Sequence, residues 1–382
     1  NADVPAWAEA LAAAPLPAPE PLPDEALAWL FYTSGTTGRP KGVRLHHGAL
    51  ASAALHFGQE LDMPSPADCA LYAAPISHGA GFLQFQHIRV GARNCVPASG
   101  GFDPGEIFEL SRTLGGISLF AAPTMVRRMV EAARASGAAG EGLRRVLYGG
   151  GPMYVADIVE AVEVLGPRFV QLYGQGEAPM CMTAMSAAQV ADRETPGWRE
   201  RLASVGTAQA GVELRITGED GAPLPAGETG EIEARAPFVM QGYWNNPEAT
   251  AKTLRDGWLR TGDVGRLDEA GFLFLTDRSK DMIISGGANV YPREVEEAVL
   301  EHPDVAEVSV VGRPHPDWGE EVVAFVALEP GAAFEPGDLS AHCDARIAKF
   351  KRPKAWFEIE ALPKNAYGKV LKTELRERLA KG

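Results

Sequence analysis

No apolar run in this chain approaches the roughly 20 residues that a membrane-spanning helix needs, so no transmembrane segment is expected. Cysteine is scarce: Cys69, Cys95, Cys181 and Cys343 are scattered without Cys-x-x-Cys spacing. That argues against a structural zinc site or a disulfide framework and makes a reducing cytoplasm the default. Positive charge is in deficit, with 36 Lys+Arg against 50 Asp+Glu and a net charge of −14. Nucleic acid and anionic membrane surfaces are therefore not expected as main partners, and an anionic ligand must be met by a local cluster. The chain opens on Asn1 rather than Met, with no basic and apolar targeting segment behind it, and reads as a fragment or a processed chain. What is present, 46% hydrophobic and 23% charged residues over 382 positions, suffices for ordinary cores. At about 100–200 residues each it allows two or three domains.

One stretch organises the rest. The apolar run Leu27-Ala28-Trp29-Leu30-Phe31-Tyr32 reads as a buried strand, and it presents Thr33-Ser34-Gly35-Thr36-Thr37-Gly38-Arg39-Pro40-Lys41-Gly42 as a loop at its end. Such a loop suits a polyphosphate: glycines let backbone N–H groups approach the anion, hydroxyls add donors, and Lys41 brings a compact positive charge. A Walker loop requires Gly-x-x-x-x-Gly-Lys-Ser/Thr running into a helix, and Pro40 and Gly42 break that template. A plain surface turn is the bland alternative, disfavoured by the density of hydroxyls beside one lysine.

Further along, strands end in glycine turns and alternate with helical segments. Ile117–Phe120 reads as a strand, and Pro123 opens a helix with Met125, Val126, Met129 and Val130 on one face, which is expected to be core with Met125 the one exception that can serve the pocket. Arg145–Tyr148 runs into Gly149-Gly150-Gly151, and Phe169–Tyr173 runs into Gly174-Gln175-Gly176-Glu177. That pattern fits a mainly parallel sheet flanked by helices, with its ligand at the C-terminal ends of the strands. Beside a phosphate loop, Glu177 is a hard oxygen ligand suited to Mg²⁺. From about Ser204 to Asp277 hairpin signals replace the alternation and predict a small β-rich subdomain. The remainder alternates strand and helix as a small α+β domain of about 100 residues.

The phosphate loop resembles the signature Ser-Gly-Thr-Thr-Gly-x-Pro-Lys of the adenylate-forming, AMP-binding superfamily, and the chain resembles its acyl- and aryl-CoA synthetase branch. The resemblance covers nearly all of the chain and implies that an upstream part of the family fold is missing. It implies that Thr33–Gly38 and Lys41 hold the nucleotide phosphates, with Thr33 and Glu177 serving the metal. Adenine then lies between Gly149–Gly151 and Gln171-Leu172-Tyr173-Gly174-Gln175-Gly176, against Tyr173 and with Gln171 near its amino group. It further implies that Asp263, in Thr261-Gly262-Asp263, binds the ribose hydroxyls with Arg278 nearby, and that Lys280 is a hinge. His78, in Pro75-Ile76-Ser77-His78-Gly79-Ala80-Gly81, matches a residue that lines or gates the acyl pocket and is counted with the catalytic set beside Lys369, Glu177 and Lys41. Amino-acid-activating relatives place an Asp in that region, and Ala73 to Phe85 holds no acidic residue. Gly286 and Gly287 join the cofactor-binding set, and Trp318, Phe350 and Arg352 match positions that contact coenzyme A, where a ring stacks on adenine and a guanidinium meets phosphate. Lys369 ends the family's Pro-x-x-x-x-Gly-Lys motif, whose lysine bridges the substrate carboxylate and the α-phosphate. One departure is visible: Gly176 stands where the family has threonine, a lost hydroxyl worth about 1–3 kcal/mol if nothing substitutes for it.

The expectation is an ATP-dependent acid:CoA ligase using ATP, Mg²⁺ and coenzyme A on a small carboxylic acid, in the cytoplasm, with a homodimer allowed for. His78, Met125, Gly149–Gly151, Met180 and Met182 point to an uncharged aliphatic or aryl pocket. The expected division is a connector over 1–23, the AMP-binding domain over 24–278 with its β-rich part at about 204–277, and a mobile C-terminal domain over 279–382. Two alternatives share these motifs: an adenylation domain that loads a carrier protein, and a nucleotide-binding module without catalysis, which Gly176 and the missing upstream region motivate.

Overall fold

Short apolar runs closed by glycine and proline turns alternate with amphipathic helices between Cys69 and Gln175, and in the computed structural model this alternation builds a parallel sheet. The structure describes residues 12, 14, 18, 20–33, 40–61, 63–278, 281–364 and 370–381. The chain opens with β1 (Leu27–Thr33), β2 (Lys41–His46) and helix α1 (His47–Glu60). It then lays down β3 (Cys69–Leu71), β4 (Arg93–Cys95), β5 (Ile117–Ala121), β6 (Leu143–Tyr148) and β7 (Phe169–Gln175), with β8 (Ala178–Met185) and β9 (Thr207–Ala208) added antiparallel at one edge. Their order across the sheet is β4-β3-β5-β6-β7-β8-β9, parallel from β4 to β7.

Helices cover both faces. On one lie α3 (Pro104–Leu114), α4 (Pro123–Ser136) and α5 (Val155–Leu165), around a core that includes Ile107, Leu119, Met129 and Ile158. Asp103 caps α3 by accepting from the Glu106 N–H, and Pro104 takes the first helical position, where its missing donor costs nothing. In α4, Met125, Val126, Met129 and Val130 are all buried, as their spacing predicts. Each such side chain contributes about 1.5–3 kcal/mol of burial. The opposite face packs Phe57 of α1 and Leu83 of α2 (Leu83–Arg89) against Leu147, Val170 and Leu172.

The β-rich part is an antiparallel sheet of β10 (Glu213–Thr217), β11 (Gly230–Arg235), β12 (Leu254–Arg255), β13 (Trp258–Leu267) and β14 (Leu273–Arg278). It shares a core with the first hairpin, where Phe31, Val43 and Leu45 meet Tyr173, Ile232 and Leu259. The expectation of a buried strand at Leu27–Tyr32 needs correcting in its context. Among the described residues β1 pairs only with β2, antiparallel, with Thr33 opposite Lys41, so this strand belongs to a two-stranded sheet apart from the parallel one. Only Phe31 of that run is fully buried, because the two-stranded sheet has one face against the core and one toward water.

A second lobe follows. Its β15 (Ile283–Ser285), β16 (Ala288–Val290), β17 (Val305–His315) and β18 (Gly319–Leu328) are antiparallel, and β19 (Ala355–Glu358) adds parallel to β18. Helices α6 (Pro292–Leu300) and α7 (Pro336–Asp344) pack one face through Val295, Val299 and Leu339, and α8 (Lys372–Lys381) packs the other through Leu375. No helix among the described residues is long and apolar enough to cross a membrane.

Burial pushes the thiols of Cys69 and Cys343 up to about 11. At pH 8 about a thousandth of each is thiolate, and the thiolate is the reactive form. Iodoacetamide at pH 8 should therefore leave both unlabelled in the native protein, while the partly exposed Cys95 reacts, as mass spectrometry before and after adding denaturant will show. Labelling of Cys69 at the rate of Cys95 in the folded protein would contradict the packing described.

Candidate active site

The C-terminal ends of β6 and β7 open side by side onto a cleft of about 300 Å³ that the second lobe closes. Gly150, Gly151, Gln171, Tyr173, Gly174, Gln175 and Asp263 line it from the large domain, and Glu296, Ser309, Lys364 and Lys372 face them from the smaller lobe. Gly149 has no room for a side chain, since a Cβ there would lie 2.4 Å from the Leu172 carbonyl oxygen. The β6 turn thus rests on the β7 backbone and keeps an open slot beyond it.

Asp263 reaches the cleft through a bulge. A Gly-Asp pair suggests a turn, yet Thr261-Gly262-Asp263 lies inside β13, where Gly262 adopts φ +71° and the pairing with β11 shifts register between Glu231 and Glu233. The Asp263 carboxylate accepts from the Tyr173 hydroxyl at 2.8 Å and from Gln175 Nε2 at 2.6 Å, and it is only 7% exposed. Gln175 Nε2 also donates to the Thr261 carbonyl at 2.9 Å. In the sheet Asp263 stands opposite Arg278. Gln171, buried, donates to the Leu172 carbonyl at 3.2 Å.

A second cluster forms where the β7–β8 turn meets the first hairpin. Glu177 Oε1 accepts from the Tyr243 hydroxyl at 2.7 Å, and Lys41 Nζ sits 4.8 Å from the centre of the same ring. Burial first, and then the Glu177 charge, push the Tyr243 phenol well above its ordinary range, so it stays a donor. Backbone bonds fix the group: Met240 N–H donates to the Glu177 carbonyl at 2.8 Å, and Trp244 N–H to that of Gly42 at 2.7 Å. Tyr243 was missed in the sequence. An isolated Gly-Tyr-Trp carries no pattern that would single it out.

Gly176 has a structural reason. A Cβ there would lie 2.6 Å from Thr33 Cγ2 and 2.7 Å from two atoms of the Phe31 ring. The space a threonine side chain would need is filled from β1 by Phe31 and the Thr33 methyl. The donor set of Glu177 and Thr33, a carboxylate with a hydroxyl, fits a hard divalent cation shared with phosphate oxygens and water.

His78 precedes the short 3₁₀ turn Gly79–Phe82 and stacks on Phe31, with centroids 5.4 Å apart and planes 20° apart. Met125 is buried, and its Sδ accepts from the Ala122 N–H, so it belongs to the core. The residues expected to meet coenzyme A form a separate group on the second lobe. Gly286 N–H donates to the Trp318 carbonyl, Trp318 stacks on His315 at 4.4 Å, and β16 touches the turn that carries Phe350. Trp318 and Phe350 are 43% and 45% exposed, whereas Arg352 is tied to Asp344 and the Ile347 carbonyl. Ser34, Gly35, Thr36, Thr37, Gly38, Lys280 and Lys369 lie outside the described residues, as do the side chains of Arg278 and Met180. Lys364 and Val370, which bracket Lys369, pair as an antiparallel bridge and both line the cleft.

A glycine-walled cleft at parallel strand ends, with a buried carboxylate at one side and a second lobe closing it, defines a two-domain nucleotide-binding α/β protein. The AMP-binding enzyme model matches residues 2–244 and the AMP-binding enzyme C-terminal domain model matches 294–369, and the chain belongs to this family. It is 38% identical over 351 residues to a feruloyl-CoA synthase of Amycolatopsis sp, covering 91% of this chain and 69% of the relative. It is also 38% identical over 366 residues to a fatty acid–[acyl-carrier-protein] ligase of Streptomyces coeruleorubidus, covering 93% and 68%. Among solved structures, o-succinylbenzoate CoA synthetase from Bacillus subtilis, in complex with its acyl-adenylate intermediate, superposes with a TM-score of 0.81 at 33% identity, over 93% of this chain and 70% of that one.

Gly176→Thr should lower stability by about 1–3 kcal/mol, the usual range for overfilling a packed site. Phe31→Leu in the same chain should recover part of the loss, measured by urea unfolding. An unchanged midpoint in Gly176→Thr would mean that β1 does not press on the turn as described.

Proposed function

We propose that this chain is an ATP-dependent acid:CoA ligase, which activates a carboxylic acid as its acyl-adenylate and passes the acyl group to the thiol of coenzyme A. The observation that carries this reading is the convergence of Gly150–Gly151, Tyr173–Gln175 and Asp263 on one cleft facing the second lobe, in a chain of the AMP-binding family.

In the first half-reaction a substrate carboxylate oxygen attacks the α-phosphorus of ATP and pyrophosphate leaves. In the second, the thiol attacks the acyl carbonyl and AMP leaves. Both steps need anions held together more than covalent help from the protein. Adenine is assigned to the slot between the β6 turn and Tyr173, and the ribose hydroxyls to Asp263, a carboxylate able to accept from two adjacent hydroxyls while keeping Tyr173 and Gln175. Lys41 and the hydroxyls from Thr33 to Thr37 are assigned to the β- and γ-phosphates. Mg²⁺, held at Glu177 and Thr33, would supply charge neutralisation between phosphates. Lys369 is assigned to the pair of reacting anions, and this is supported by Lys364 and Val370, which flank it in the sequence, bridge each other and line the cleft. The exposed rings of Trp318 and Phe350 are assigned to the adenine end of coenzyme A, with Arg352 at a phosphate. A turn of residues 279–382 about Lys280 between the half-reactions completes the reading. Placement in the cytoplasm and assembly as a homodimer extend it on the family resemblance alone.

The 38% identical carrier-protein ligase favours one second reading, transfer to a carrier thiol instead of free coenzyme A. Acid-dependent ATP–pyrophosphate exchange over a panel of carboxylic acids tests the first half-reaction, and thioester yield with coenzyme A against a carrier thiol separates the two acceptors. No exchange with any acid would leave a nucleotide-binding module. Lys369→Ala should suppress exchange while sparing thioester formation from supplied acyl-adenylate, and equal loss in both assays would remove Lys369 from its role.

A further inference from the structure

We infer that Arg127 is a positioning residue for the first half-reaction: it docks the second lobe on the large domain with the segment between Lys364 and Val370 at the cleft, and it releases that lobe for the second. The inference rests on the ligase reading and adds a residue to the same site.

β17 is an edge strand of the second lobe, with β18 on one side and no described strand on the other. An edge leaves backbone groups outside the ladder, and these need other partners where they are covered. Two of them are met from different lobes. The Val310 N–H donates to Glu296 Oε1 of α6 at 2.8 Å, within the second lobe. The Ala306 carbonyl accepts from Arg127 Nη1 of α4 at 3.0 Å, across the seam. A bulge makes that carbonyl available: Val305 pairs with Leu328 and Glu307 with Ala327, which leaves Ala306 with no residue opposite it.

Both ends of this bond lead into the cleft. Arg127 lies about one helical turn beyond Pro123, whose Cδ is 3.7 Å from where a Cβ on Gly151 would be, and Gly151 lines the nucleotide cleft. The charge of Arg127 also opposes the rise that burial gives the Asp157 carboxyl of α5, so the guanidinium acts within the large domain as well. On the far side Glu307 follows Ala306 and pairs with Lys364. Lys364 in turn bridges Val370, and the Leu371 N–H donates to the Pro363 carbonyl at 2.8 Å. Arg127, Ala306, Glu307, Lys364 and Val370 all line the cleft. Ala306, Glu307 and Lys364 thus connect the guanidinium to the stem of the segment assigned to the reacting anions.

A bond from a charged donor biases the placement of a lobe that shares no described apolar cluster with its neighbour, and water can replace it when the lobes part. Arg127 stays with α4, so a turn of the second lobe carries the Ala306 carbonyl away from it. The contact therefore serves adenylate formation and is absent from thioester formation.

The test uses the whole chain, with the acid most active in exchange and that acid's synthetic adenylate. Arg127→Ala should slow acid-dependent pyrophosphate exchange about 10–100-fold, the range for losing a hydrogen bond from a charged donor, through kcat with the KM for ATP unchanged. Thioester formation from the supplied adenylate should keep its rate. Arg127→Lys retains a cationic donor and should recover part of the exchange. Arg128→Ala, which removes a guanidinium lying over Phe102 instead, should change neither reaction. Amide deuterium uptake in β17 should rise in Arg127→Ala, because lobes that part uncover the edge. Should Arg127→Ala unfold, Arg127→Gln takes its place with the same expectations. Unmoved exchange in an active protein, or equal loss in both half-reactions, overturns the inference and leaves the ligase reading intact. Raised uptake in β17 of a protein that exchanges with no acid keeps the docking contact and overturns the ligase, and unmoved uptake in such a protein overturns both.

Discussion

The Asp263 carboxylate is the point on which the cleft depends. A buried anion is tolerable only when its oxygens are bonded, and Tyr173 and Gln175 from the end of β7 supply those bonds across the junction between two sheets. Hydrogen bonds to a charged group contribute about 1.5–3 kcal/mol each, more than a neutral pair, so the junction is fixed where the parallel sheet would otherwise end in loose turns. The device that aims the carboxylate is local. Gly262 in the left-handed region bulges β13 against β11, and Asp263 directs its carboxylate to the β7 turn while its backbone still pairs with Arg278 of β14. The β-rich sheet is thereby a wall of the cleft as well as a neighbour of the parallel one.

The first hairpin is held by a different means. β1 and β2 form a sheet of two strands, an arrangement marginal in water unless something packs on it. The segment from Met240 to Trp244 supplies that support, bonding through its backbone to Glu177 on one side and to Gly42 and Arg44 on the other. The same segment places Tyr243 between Glu177 and Lys41, so an acid and a base meet through a phenol rather than in a direct ion pair. The intervening ring keeps the two charges from neutralising each other and still fixes where they stand.

The parts of this fold that were legible in the sequence are those set by short-range pattern. The apolar face of α4, the proline at its first position and the glycine turns after β6 and β7 each follow from the spacing of a few adjacent residues. What was hidden is set by partners distant along the chain. Whether Leu27–Tyr32 joins the central sheet or a separate hairpin depends on the strand it meets, and the register of that pairing cannot be read from the apolar run itself. Glu177 and Tyr243 are 66 residues apart, and Tyr173 and Asp263 are 90 apart. The reason for glycine at 176 was hidden because the sequence does not show that Phe31 and Thr33 occupy the space a side chain would need.

The seam between the lobes has a different character from the cores on either side. Its described hydrogen bonding includes Arg127 of α4 donating to the Ala306 carbonyl at 3.0 Å, and Lys372 pairs with the buried Glu296 at 2.9 Å within the second lobe. Tyr154 is enclosed there, its phenol held protonated first by burial and then by the nearby Glu296 carboxylate. The clusters that stabilise the large domain end at Leu275, and those of the second lobe begin at Ile283. No apolar cluster among the described residues spans both. Polar contacts exchanged for water cost little to separate, whereas an apolar core would cost about 25 cal/mol for every Å² exposed. The division of apolar side chains into separate cores gives the seam the first character, so the lobes can part without exposing a shared core.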